Sequence, residues 1–415
     1  MALWTGGTVD FTVELALGVS ETDALYGTGE YGTAQYGLIE STWYDVTAYT
    51  IEVSTTRGAE RFDDRMRTGQ AVVLFDNATG RFNPDHGAES LPGSLELAPG
   101  RFIRVTGTVN STDYVLFHGY IDTIDEIYVA DDVVTRVLAY DLAGMMALAV
   151  DTTMAGEGDG ETTGARVTRA VEAFGWAEQD IDTGDHTMQP VRAGVNLLRL
   201  AHQAAAAEGS VFYFEGDTAT FRDSDWPAAT TVTLEVGWKQ LSNGDTWTSP
   251  EGHTVTANGD IQIYGTGDVE VLAADSEWSA QHIRNDLQLA RDGGTVYRLN
   301  DPLSIVRYGR RTWRFLDYQL DNDTDLETLA DKILAAYSYD YQRLAAVTVH
   351  PHNATGAEAV LDTTIGDLVS VYMDIGFGGW DYTVEAHVLG VEYTINANDW
   401  QATYRLDQSQ REGMT

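Results

Sequence analysis

The sequence predicts a mainly β chain with an α+β insert: two tube-type β-barrel or sandwich domains, related by a weak internal repeat and joined by smaller α/β modules. Three observations carry this reading. Short runs rich in β-branched and aromatic residues alternate with Gly, Pro and Asn turns in two separated regions. Apolar residues at helical spacing are confined to the middle of the chain and to one later segment. The two β regions also share an order of turn glycine, β run, glycine-marked strand and closing strand.

Taken in order, residues 1–45 read as an N-terminal strand and a Tyr-Gly-rich arm. Tyr-Gly recurs every five residues through Tyr26, Tyr31 and Tyr36. Gly27, Gly29 and Gly32 spell G-x-G-x-x-G, but no helix start follows to aim amides at a pyrophosphate, so dinucleotide binding is excluded. Tyrosine offers contact area at low entropic loss, which makes Tyr26, Tyr31 and Tyr36 candidates for subunit contact.

Residues 46–150 read as the first tube-like β domain. Val46–Val53, Arg101–Val109 and Tyr114–Tyr128 are β-rich runs, and Val134, Arg136, Leu138 and Tyr140 share one strand parity. The stretch LFDNATGRFNP is expected to form strand, turn and strand, with Asp76, Asn77 and Gly80 in the turn and Pro84 ending the second strand. Residues 151–228 form a small α+β domain. It opens on a linker-like acidic glycine run, 155–161. Val167, Ala170, Val171 and Phe174 mark one helix, and Leu197, Leu200, Ala201, Ala204 and Ala205 another, stopped by Gly209. Val211–Phe221 reads as a hairpin. Residues 229–415 form the second tube-like domain, with one inserted helix at 324–338 that Thr324 and Glu327 would cap.

The repeat aligns Pro99–Val105, then His118–Asp122, then Val137–Asp141 with Ile365–Val371, Val388–Glu392 and Thr403–Asp407. Two similar barrels per subunit have a geometric consequence. A trimer would present six similar units around one axis and could dock on a six-fold ring.

The composition narrows the function classes. The chain has 415 residues, 43% of them hydrophobic, enough for two or three cores. It has no cysteine, which excludes disulfides, thiolate metal sites and cysteine nucleophiles. No apolar run is long enough for a membrane span, and no secretion signal is legible. Sixty-four acidic residues against 25 basic ones give a formal net charge of −39, a surface that repels nucleic acid and anionic membranes. Catalytic motifs are missing: there is no nucleophile elbow, no Walker A sequence and no H-E-x-x-H. His350 and His352 form a close pair without an evident third ligand, and His118 and His387 fall on expected strands. Asp321, Asp323 and Asp325 alternate like the start of a calcium loop. Leu326 and Lys332 stand where such a loop needs glycine and glutamate, so helix capping is the better reading. No cofactor and no enzymatic activity are expected.

The pieces VLFDNATGRFNP, LAPGRFIRV, VLFHGYIDTID, AGVNLLRLAHQAAAAEGSVFYFEGD, HIRNDLQL and SIVRYGRR, then TDLETLADKILAAYSYDYQRL, IGDLVSVY and VEYTINANDWQATYRLDQ, resemble the minor tail proteins of long non-contractile-tailed (siphovirus) actinobacteriophages. More closely, they resemble the baseplate hub, or tail-tip hub, of that group. The resemblance covers residues 45–410 as a series of motifs in order. It implies a homotrimer in the virion at the tail tip, assembled in the host cytoplasm. This trimer would continue or close the tail tube, adapt six-fold to three-fold symmetry and pass DNA without specific binding. The implied partners are the distal tail protein or tube ring, the tape-measure protein, and receptor-binding or other minor tail proteins. Some family members carry extra enzymatic domains; with the second barrel ending close to Thr415, none is expected. The alternative is a virion-associated protein that binds or cleaves carbohydrate, with Trp238, Trp247, Trp278 and Trp380 available to stack on sugars.

Overall fold

A computed structural model describes residues 9–16, 43–59, 65–83, 97–129, 132–227, 232–239, 246–248, 254–256, 268–277, 282–339, 343–374 and 381–407. The Tyr-Gly arm lies outside them. The first β region supplies β1 (Asp10–Ala16), β2 (Trp43–Asp45), β3 (Thr50–Gly58), β4 (Arg67–Asp76), β5 (Phe102–Val109), β6 (Thr112–Val129) and β7 (Asp132–Asp141). A first insert follows: α1 (Leu142–Leu148), α2 (Thr163–Phe174), β8 (Gln179–Ile181), α3 (Leu197–Glu208), β9 (Phe212–Glu215) and β10 (Thr218–Phe221). The second β region opens with β11 (Val232–Lys239), a small hairpin of β12 (Thr246–Thr248) and β13 (Thr254–Thr256), and β14 (Val269–Glu277). A second insert contains β15 (Asp286–Arg291), β16 (Tyr297–Asn300), α4 (Pro302–Tyr308), β17 (Thr312–Tyr318) and α5 (Asp323–Tyr337). The chain returns through β18 (Arg343–Pro351), α6 (Ala354–Asp362), β19 (Leu368–Asp374), β20 (Asp381–Asn396) and β21 (Trp400–Asp407).

The fold is mainly β, and the repeat is real in three dimensions. The first set runs in the order β1-β5-β6-β7-β4-β3 and the second in the order β11-β19-β20-β21-β18-β14. Once the inserts are set aside, each order visits its strands in the same chain sequence. The local geometry repeats too. The Gly100 amide donates to Ile121 O at 2.7 Å and the Ile121 amide to Arg101 O at 2.8 Å. The Gly366 amide donates to Val388 O at 2.8 Å and the Val388 amide to Asp367 O at 2.9 Å. Both glycines have positive φ, +86° and +98°. Directly after Ile121 and after Val388 the long strand carries a β-bulge against its partner. These bulges correct the alignment read from sequence. Ile121 matches Val388, and Ala139 matches Leu406, so Gly119 and Gly390 are not equivalent. The sets differ at one edge: β1 runs antiparallel to β5, whereas β11 runs parallel to β19.

The expected barrels do not close by strand pairing among the described residues. Instead both sets belong to one 13-stranded sheet, joined where β20 pairs with β3. β2 runs through a 3-10 turn, Thr47–Tyr49, into β3, which brings the first set round on itself. One apolar core serves both sets, reaching from Phe11, Val53 and Val73 to Val347, Val391 and Trp400. A second core joins the two inserts, with Val167, Leu200 and Ala204 meeting Leu287, Leu326 and Ala330.

Local expectations fared unevenly. LFDNATGRFNP gives a strand and a turn, with no second strand through Asn83; Pro84 lies outside the described residues. Asn77 Oδ1 accepts from the Phe82 amide at 2.9 Å, and this folds Phe82 back to stack on Phe75 at 4.5 Å. In β7 Val134, Arg136, Leu138 and Tyr140 do share one face, and the buried face is the other, with Thr135, Val137 and Ala139. The glycine run at 155–161 is a fixed loop rather than a linker. Buried Arg166 holds Glu161, Gly158 O at 3.0 Å and Gln189 O at 2.6 Å. The two helices expected in the first insert form as α2 and α3, and Gly209 ends α3 in the left-handed region. The long helix starts one residue early, and Asn322 caps it in place of Thr324: its side chain accepts from the Asp325 amide. Helices α4 and α6 carry no long apolar stripe and were not legible.

A direct test separates joint geometry from ordinary turn strain. Gly58 has φ +99° and a Cβ there would sit 2.2 Å from Leu389 O, whereas Gly100 has φ +86° and open space around it. Gly58→Ala should lose at least about 2 kcal/mol of stability, and Gly100→Ala about 1 kcal/mol. Denaturant melts of the two variants check this; equal losses would show that the joint is not tightly closed.

Candidate functional site

The joint between the two strand sets is tightly constrained. β20 is shared by three partners. Asp381–His387 pair with β19, Gly390–Asn396 pair with β3 on the same edge, and β21 runs along the opposite edge. Gly390 faces Gly58, and a Cβ on Gly390 would lie 2.9 Å from Arg57 O. The Ala59 amide closes the end by donating to Leu389 O at 2.9 Å. Beneath the joint Phe11 meets Trp400 edge-on at 5.3 Å, and Tyr393 and Ile395 are fully buried.

A polar tie holds the first insert to this joint. Arg57 Nη2 donates to Glu215 Oε1 and to Thr364 Oγ1, each at 3.3 Å, and Thr364 Oγ1 donates to Glu215. One arginine on β3 thus meets the end of β9 and the loop before β19. Tyr213 adds a second link, donating to Ile365 O at 3.3 Å; burial pushes its phenol pKa up, so the donor stays protonated. Sequence reading singled out none of Arg57, Glu215 and Thr364.

Near this tie a void of about 10 Å³ lies beside Arg57, His118 and Asp141. Asp141 caps α1, accepting from Ala143 at 3.0 Å, and also accepts from the Gly69 amide at 2.7 Å. Burial outweighs these bonds and raises its pKa to about 7. His118 sits among the rings of Trp43, Phe102 and Trp176, at 5.6, 5.7 and 6.1 Å. Burial there lowers its pKa to about 4.

The candidate site residues separate. Tyr26, Tyr31 and Tyr36 lie outside the described residues. Asp323 pairs with Arg291 at 2.6 Å, Asp325 accepts from Asn322 Nδ2 and the Thr187 amide, and the Asp321 amide donates to Thr187 O. Among the described residues no three acidic or histidine side chains gather in a way that could hold a metal. His350 Nδ1 donates to Trp400 O at 2.7 Å and lies 3.0 Å from Asp399, whereas His352 turns to Glu270 at 3.7 Å. The side chains of Trp238, Trp247, Trp278 and Trp380 are outside the described set. A cavity of about 130 Å³ between α3, β17 and α5 is walled by Phe212, Trp313, Phe315 and Leu329, with Arg65, His202 and Ser210 as polar members. Among the described residues no carboxylate lines it. No described helix is long and apolar enough to cross a membrane.

No protein-family model and no curated protein sequence matches the chain. Solved structures do share its fold. A tail protein from Neisseria meningitidis MC58 superposes with a TM-score of 0.57 at 11% identity, covering 96% of each chain. The 43 kDa tail protein of prophage MuSo2 from Shewanella oneidensis gives a TM-score of 0.56 at 13% identity, covering 96% of this chain and 98% of that one. At such identities the likeness is one of fold: the chain has the fold of these tail proteins over nearly its whole length.

The aromatic cage around His118 predicts an acid-sensitive stability. Its folded pKa lies below the free imidazole value, so between pH 6.5 and about 4 the unfolded chain binds a proton that the folded chain refuses. Stability is therefore lost as pH falls through that window. Melts of His118→Phe against the parent should show the parent's extra slope, up to about 1.4 kcal/mol per pH unit, and parallel curves above pH 7. Parallel curves throughout would mean that the ring is solvated.

Proposed function

We propose that this protein is a structural hub at the tip of a phage tail. One observation carries the reading. A single chain contains two strand sets of the same order, with the same glycine turn and the same bulge, fused side by side in one sheet. A subunit of this kind offers two similar docking units, so a homotrimer offers six. That geometry lets a three-fold tip seat on a six-fold tail tube, by way of the distal tail protein or the tube's last ring. The fold shared with prophage tail proteins supports a tail role. The resemblance of the sequence supports the finer placement, in siphoviruses of actinobacteria beside the tape-measure and receptor-binding proteins. The role is one of shape and contact, without turnover. The net charge of −39 suits a passage for DNA that must not adhere.

Mass by light scattering, with negative-stain images of the same peak, tests this reading. The expected result is three chains in a ring with an axial hole. A compact monomer that also released sugar from a polysaccharide would overturn it in favour of the carbohydrate-active alternative.

A further inference from the structure

The repeat leaves one junction made and one unmade. On β20 the edge released by β19 after His387 is taken by β3 from Gly390 to Asn396. On β6 the matching edge is released by β5 after Tyr120, and Gly100 and Arg101 bond Ile121 as Gly366 and Asp367 bond Val388. From Thr123 to Val129, however, that edge meets no strand among the described residues. The counterpart of β3 in the second set is β14. It pairs with β18 on one side, and the edge that on β3 carries β20 carries no described strand on β14. Among the described residues both of these edges are open, and each is the duplicate of one half of a junction that exists within the chain.

Burial points the same way. Val391, Tyr393 and Ile395 line the existing junction at 1%, 1% and 0% exposure. Their matches on β6 are Ile124, Glu126 and Tyr128. The first two are half-buried, and Tyr128 is 72% exposed although its position faces the core side in the other set. On β14 the neighbouring Leu272 is 43% exposed. An open apolar edge of this kind needs a cover.

We propose that the outer half of β6 in one copy pairs antiparallel with the outer half of β14 in the next copy, repeating the β20–β3 junction between chains. This rests on the hub reading and deepens it by naming the self-contact. The bulges fix the register. Ile395 faces Val53, Thr394 faces Ser54 and Tyr393 faces Thr55 within the chain. Through the paired strands Val53 matches Ala274, because Val73 and Val347 occupy the same place opposite Val137 and Tyr404. Between copies Tyr128 then faces Ala274, Ile127 faces Asp275 and Glu126 faces Ser276. The contact is head-to-tail, so it propagates round a ring. Beside their apolar residues both edges also carry acids, Asp125 and Glu126 on one and Asp275 on the other; salt should promote the contact by screening their repulsion.

The full chain has no cysteine, so an introduced pair is the only disulfide it can form. Residues directly opposite in an antiparallel pair have Cβ atoms about 4.5–5.5 Å apart, close enough to bridge with small shifts. The test is Tyr128→Cys with Ala274→Cys, oxidised with diamide at 50 and 500 mM salt and run on non-reducing gels beside each single variant. Matching melts of double variant and parent establish folding, and Ile127→Cys with Asp275→Cys serves as a second pair in the same register. The expected result is a thiol-reversible series ending at three chains, stronger at high salt and absent from the single variants. A trimer by light scattering without cross-linking in either pair would overturn the edge pairing and leave the hub reading standing. Cross-linked ladders without an end, seen as filaments, would uphold the pairing and overturn the ring. A single-chain mass at both salts with no cross-link would overturn both.

Discussion

Everything in this molecule depends on one strand being long enough to change partners. β20 leaves β19 and takes up β3 without breaking its pairing with β21, and the bulge after Val388 is what permits the exchange. A bulge adds a residue on one side and sharpens the local twist, so the strand turns from one set toward the next while its opposite edge stays satisfied. Buried backbone groups must find partners, and a gap here would strand several at once. Gly58 and Gly390 face one another because the chains approach too closely for any side chain. The tie of Arg57 to Glu215 and Thr364 then locks the insert against the same point.

Much of the β framework was legible in the sequence, because period-two patterns and turn glycines report local constraints. Gly100 and Gly366 were read as equivalent turns and are so, since positive φ leaves a direct mark on residue choice. The alignment of the long strands was misread by following Gly119 and Gly390. Those glycines answer to different neighbours, the first to Tyr140 O and the second to Arg57 O and Ala59 O, and such close approaches are tertiary facts. The LFDNATGRFNP stretch misled for a similar reason. Phe82 looked like the start of a strand, but its ring is held by Phe75 through a turn that Asn77 organises. Of the site, Arg57, Glu215 and Thr364 stand about 150 or more residues apart and show no pattern that spacing could reveal.

The acidity of the chain reads differently against the structure than it does as a bulk count. Many arginines are already engaged with carboxylates or backbone oxygens: Arg104 with Glu14 at 2.6 Å, Arg136 with Asp125 at 2.5 Å, and Arg166 and Arg169 with Glu161. Such pairs, where exposed as Arg136–Asp125 is, add little stability. They do consume positive charge, so the surplus of carboxylates dominates the outer field. Such a surface works against self-association as well as against nucleic acid. Any contact between copies therefore has to be carried by backbone bonds and apolar burial, which an open strand edge provides and a charged face does not.

The two strand sets are alike where they share a sheet and unlike where they carry inserts, and this asymmetry bears on how one chain could serve two symmetries. The first insert follows β7, whereas the second interrupts the passage from β14 to β18, so they hang from different places in the repeat. Yet they do not form two bodies. Leu200, Ala204 and Phe212 of the first pack with Leu326, Leu329 and Ala330 of the second in one core. Each chain thus holds two copies of the sheet unit and one copy of the insert body. In a trimer the sheets would recur six times and the insert bodies three times. A six-fold partner would read the common β5-β6-β7 and β19-β20-β21 geometry, and a three-fold partner would read the merged inserts. On the proposed hub reading, packing two inserts into one body would let the duplicated sheet serve as an adaptor between symmetries.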